Sequence, residues 1–125
     1  GQPMTLTLRV LFITVIAAGL VACDSMELAI SVVQPEGGWL EVVNANDSVW
    51  KDARLVVEAF ESEGTTRPCG EEIVPRWEPG QAIRVPACAQ KVRFTLTTGG
   101  ETARFSYFDG QVYRRIGRKE VPILE

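Results

Sequence analysis

The chain has 125 residues, room for one small domain, and its 46% hydrophobic and 23% charged content is globular rather than disordered. It contains no histidine, which excludes Ser-His-Asp and Cys-His catalysis and removes the commonest neutral-pH base. Net charge is −3 overall and about −4 beyond residue 22, which argues against a nucleic-acid partner, since such binding rests on many phosphate-facing cations.

Residues 1–22 read as a signal peptide. Met4 is the natural start, with Gly1-Gln2-Pro3 ahead of it, and Arg9 is the one charged residue of the segment. An apolar run follows and ends in the small residues Ala17, Ala18 and Gly19. At about 13 residues it is short for a transmembrane helix and right for the apolar stretch of a secretory signal. Leu20-Val21-Ala22-Cys23 closes the segment and resembles, position by position, the lipobox of bacterial lipoproteins. The resemblance implies that a dedicated peptidase recognises Leu20, Val21 and Ala22, and that Cys23 carries the acyl chains. Two or three chains, at about 0.8 kcal/mol per buried CH₂, would hold a small domain on a membrane. The resemblance to lipoproteins makes the bacterial cell envelope the expected location, with the domain in the periplasm, and Asp24, which resembles an inner-membrane retention signal, favours the inner membrane. Residues 23–27 form a short tether.

Three cysteines is an odd count. With Cys23 lipidated, Cys69 and Cys88 remain as a pair, expected to form a disulfide in an oxidising compartment. No metal site is expected, because two cysteines so far apart without histidine are not a zinc pattern.

Residues 28–125 read as a single all-β domain. Strands are expected at Leu28–Val33, Trp39–Val43 and Ala53–Phe60, the last with Leu55, Val57 and Ala59 on one face. Glu61–Gly70 reads as a polar loop. Gln81–Val85 is a short strand, and Lys91–Thr97 alternates, with Val92, Phe94 and Leu96 inward. Gly99-Gly100 and Asp109-Gly110 are hairpin turns, so Glu101–Phe108 and Gln111–Ile116 complete a meander, with Ala103, Phe105 and Tyr107 on the core face. Seven or so short strands without a confident helix predict an antiparallel β-sandwich of immunoglobulin or fibronectin type; a small closed barrel is the alternative. The stretch Val42–Leu55, with its Asn-rich corner and Trp50, and the stretch Phe94–Phe105 resemble small exported bacterial β-sandwich domains. That resemblance implies the fold and no activity.

Candidate sites are sparse. Trp39, Trp50 and Trp77 are either core or an aromatic platform for glycan, with Trp77 and Arg76 in an expected loop inside the disulfide ring. Asn44, Asn46 and Asp47 offer calcium-type oxygens, though Asx turns explain them too. The carboxylates Glu71-Glu72, Glu61/Glu63 and Asp47/Asp52 read as solvated surface. Arg114, Arg115, Arg118 and Lys119 form a basic run, suited either to an anionic partner or to a charged strand edge. The expected function is a membrane-anchored, non-enzymatic module without cofactor that binds another envelope protein; the alternative is a glycan- or cell-wall-binding module, and a small hydrolase is third.

Overall fold

The computed structural model describes residues 27–123 apart from Glu36 and Glu63. The expected signal peptide, Cys23 and Asp24 lie outside the described residues. What is described is all-β. Its strands are β1 (Ile30–Val33), β2 (Trp39–Asn44), β3 (Trp50–Ser62), β4 (Thr65–Trp77), β5 (Ala82–Pro86), β6 (Lys91–Thr98), β7 (Glu101–Phe108), β8 (Gln111–Ile116) and β9 (Lys119–Pro122).

They pair antiparallel in two sheets, β1-β2-β5 and β4-β3-β6-β7-β8-β9. The sheets do not close on one another, so the sandwich holds and the barrel alternative does not. In chain order, β1, β2 and β5 pair as the first, second and fifth strands of an immunoglobulin sandwich do, and β3, β6 and β7 as the third, sixth and seventh. The fourth strand departs from the constant-type order. It pairs with β3 instead of joining β5, and β8 and β9 then widen the larger sheet.

Alternation builds the core. Ala53, Leu55, Val57 and Ala59 of β3 face inward beside Val92, Phe94 and Leu96 of β6 and Phe105 and Tyr107 of β7, all buried. Leu40 and Val42 of β2, Ile30 of β1 and Val85 of β5 close over them from the smaller sheet. The two expected hairpin turns form as read. Asp109 and Gly110 take φ of 55° and 77°, the paired left-handed geometry whose twist matches the flanking strands.

Two expectations are corrected. Glu61–Gly70 is no loop: β3 runs to Ser62, Gly64 lies in the turn, and Thr65 opens the return strand β4, so the two form one long hairpin. Polar composition misled because β4 is an edge strand, with its exposed positions filled by Glu71, Glu72 and Arg76. Nor is Trp77 in a loop. It ends β4 directly opposite Trp50, and both indoles are fully buried. Asp52, at φ 49°, breaks the alternation of β3, so that Trp50 and Ala53 both face inward although three residues apart. Val74 and Trp77 keep the same spacing on β4.

Candidate functional site

The Asn-rich corner between β2 and β3 organises the place where the chain joins the sandwich. Asn44 Nδ2 donates to the carbonyls of Ser48 (3.0 Å) and Trp77 (3.1 Å), while its Oδ1 accepts the Asn46 backbone N–H at 2.8 Å. Asn46 Oδ1 accepts from the Ala29 backbone (3.2 Å) and from Trp50 Nε1 (3.1 Å), and its Nδ2 donates to the Glu27 carbonyl (3.1 Å). Both amide oxygens are therefore engaged by protein donors. The corner is an Asx-turn device rather than a calcium cradle, and it holds residues 27–29 against Trp50.

Arg114 secures the same segment from the other side. It lies on the inner face of β8, with its guanidinium 5.0 Å from the Phe105 ring centre. Its Nη2 donates to the Leu28 carbonyl, and its Nε stands 3.7 Å from the Glu27 carboxylate. The expected four-residue basic run is thereby split, because alternation puts neighbouring side chains on opposite faces of a strand. Arg114 serves the domain interior, while Arg115, Arg118 and Lys119 remain toward solvent.

Two of these meet residues that the sequence left unconnected. On the outer face of the large sheet, Arg115 and Arg118 line a groove of about 460 Å³ with Phe60, Lys91 and Glu120, bordered by the β3–β4 turn. In a flat sheet Lys91 and Glu120 would sit three strands and about four residues apart, roughly 19 Å, beyond the reach of two side chains. Yet Lys91 Nζ donates to Glu120 Oε1 at 3.0 Å. The accumulated twist of the four strands from β6 to β9 brings these diagonal corners together on the outer face. Phe60 lies beneath two cations, 4.6 Å from Lys91 Nζ and 4.9 Å from the Arg93 guanidinium carbon. Ser106, buried although on the outer face, donates to Glu120 Oε2 at 2.7 Å.

Burial pushes the Glu120 carboxyl upward, but the Ser106 hydroxyl, the Lys91 ammonium and Arg115 outweigh it and hold it below the usual carboxylate range. A lowered folded value means that this carboxylate stabilises the fold above its unfolded pKa, and that the contribution is lost as pH falls through the folded value. Glu120→Gln is therefore expected to lower the urea midpoint at pH 7 by the equivalent of about 1 kcal/mol. Titrated downward through the carboxylate range, wild type should converge on the variant. Parallel curves at every pH would deny the pairing.

The other named residues are dispersed. Trp77, proposed as a glycan platform, is wholly buried; its ring meets Trp50 edge to face at 5.0 Å between centres and 77° between planes, and its Nε1 donates to the Gln81 carbonyl at 2.8 Å. A buried indole cannot stack on a sugar, so that role is withdrawn. Arg76 is exposed and ion-paired with Glu78. Trp39 alone of the three indoles is exposed, with Arg84 5.8 Å above it. Glu71 pairs with Arg54, and Glu61 with Arg67. The sulfurs of Cys69 on β4 and Cys88 beyond β5 are at disulfide distance, with Cα atoms 6.5 Å apart, and the bridge joins the two sheets. Among the described residues no group of three or more His, Cys, Asp or Glu could hold a metal.

The members of the groove contributed by Phe60, Lys91 and Glu120 carried no signal in sequence, because strand separation hides them. Only the basic run pointed toward it. No protein-family model matches the chain, and neither the curated proteins nor the solved structures give a match.

Proposed function

We propose that this protein is a lipid-anchored, non-enzymatic module of a bacterial cell envelope, acylated at Cys23, that binds another envelope protein through the outer-face groove. The observation that carries the reading is the sequence Leu20-Val21-Ala22-Cys23, which ends four residues ahead of Glu27, where the chain is already fastened to the sandwich. A tether that short suits a domain that works at the membrane surface rather than one that searches far from it.

The groove supports the binding half of the reading. It combines an aromatic floor with Arg115 and Arg118, while Lys91 and Glu120 are already paired to each other. A partner presenting carboxylates to these arginines gains charge-assisted hydrogen bonds on a preformed surface. The glycan alternative loses its principal residue with the burial of Trp77.

The test is cross-linking and recovery of partners from the native envelope, with wild type, Cys23→Ser and Arg115→Ser/Arg118→Ser compared. Wild type should retain a specific envelope protein. Cys23→Ser should be unacylated and released from the membrane, and the double arginine variant should stay anchored but recover about tenfold less partner. Normal acylation of Cys23→Ser would refute the anchor, and full recovery by the arginine variant would refute the groove.

A further inference from the structure

The smaller sheet has three strands and the larger six, so the smaller cannot cover the whole inner face of its partner. The uncovered strip is the β8–β9 hairpin. Ile116 is 57% exposed and Val121 42%, and both belong to the inner face: Ile116 lies two residues beyond Arg114, and Val121 pairs with Arg114. Lys119 is the cross-strand partner of Ile116, and Arg118 lies in the turn; both are exposed. The inner face of the hairpin thus presents two apolar side chains beside Lys119, while Arg118 turns toward the groove.

This corner is also where the chain arrives. Glu27 shares a shallow depression with Arg114, Ile116 and Gly117. Cys23 is four residues earlier, and four residues of any conformation reach at most about 14 Å. An acyl chain on Cys23 therefore keeps the hairpin within about a Debye length or two of the lipid phosphates.

We propose that the β8–β9 hairpin is the membrane-contacting edge of the domain. Ile116 and Val121 enter the boundary between headgroups and acyl chains, and Lys119, on the same face, engages the phosphates of anionic lipids. The proposal rests on the reading of Cys23 as a lipid anchor. Two apolar side chains and one ammonium would hold weakly alone, but the tether makes the contact intramolecular, so a weak surface suffices. Only the inner face of the hairpin meets the lipid, while Arg115, Arg118 and Glu120 line the groove on the opposite face.

The experiment uses full-length lipidated protein in vesicles of phosphatidylethanolamine with about 25% phosphatidylglycerol, compared with phosphatidylcholine vesicles. Amide hydrogen exchange is read by mass spectrometry, with acylation of Cys23 and flotation checked on the same sample. Exchange across residues 116–121 should slow about tenfold on the anionic vesicles, and Ile116→Ser/Lys119→Ser should abolish most of that protection. An acylated, floating protein with unchanged exchange in the hairpin would overturn the proposal and leave the anchor standing. Unacylated Cys23 would overturn both. Protection that grows with protein density on phosphatidylcholine would assign the strip to a second copy and overturn the lipid contact.

Discussion

Trp77→Ala is expected to destabilise the domain by about 3–5 kcal/mol, read as a drop in urea midpoint at unchanged slope. Three losses combine. The fully buried indole leaves a cavity in the inner face of β4, Trp50 loses its edge-to-face partner, and the Gln81 carbonyl loses its indole donor. The site has little means to collapse, because Asn44 below it is itself fixed to the Ser48 and Trp77 carbonyls. Small domains are stable by only about 5–15 kcal/mol, so this one change removes a large share. Trp77→Phe should recover part of the loss by refilling most of the volume. Trp39→Ala, at an exposed position, should stay within about 0.5 kcal/mol of wild type. Equal effects for Trp39 and Trp77 would contradict the burial described for both.

Breaking the Cys69–Cys88 bridge is expected to cost about 3 kcal/mol, from the chain entropy regained by an open loop of this length. For a domain of this size that corresponds to roughly 10–20 °C in melting temperature. The position of the bridge adds a reason beyond entropy. Cys69 lies on β4 in the larger sheet and Cys88 just beyond β5 in the smaller one, so the bond closes the segment that crosses between sheets. Cys69→Ala/Cys88→Ala and wild type under reducing agent should melt together, well below oxidised wild type. A melting temperature indifferent to reduction would deny the bond.

The elements legible from sequence share one property: both of their determinants are local. Val92, Phe94 and Leu96 and then Ala103, Phe105 and Tyr107 recur at every second position, joined by Gly99-Gly100, so pleat and turn agree without reference to any distant residue. The same holds for Asp109-Gly110 and β8. Strand β4 was illegible for the opposite reason. An edge strand with one face toward water carries Pro68, Pro75 and several charges, a composition that also describes a loop, and only its pairing with β3 makes it a strand. Trp77 was misassigned with it, since its burial depends on the break in alternation at Asp52 across the ladder.

The site shows the same division. Arg114, Arg115, Arg118 and Lys119 fall within six consecutive residues, so their charge could be counted from sequence. Their separation into an inward guanidinium beneath Leu28, two arginines on the outer groove and one lysine on the exposed hairpin could not. That outcome depends on the register of β8 against β7 and β9 and on the twist that folds the larger sheet over Phe60. Amino-acid order alone was enough for the all-β class, the two tight hairpins, the pairing of Cys69 with Cys88 and the expectation of an anchor at Cys23, since each follows from alternation, turn chemistry, cysteine count or a contiguous motif. The placement of β4, the burial of Trp77 and the meeting of Lys91 with Glu120 were settled only in three dimensions, because each requires residues far apart in the chain to share one face of a twisted sheet.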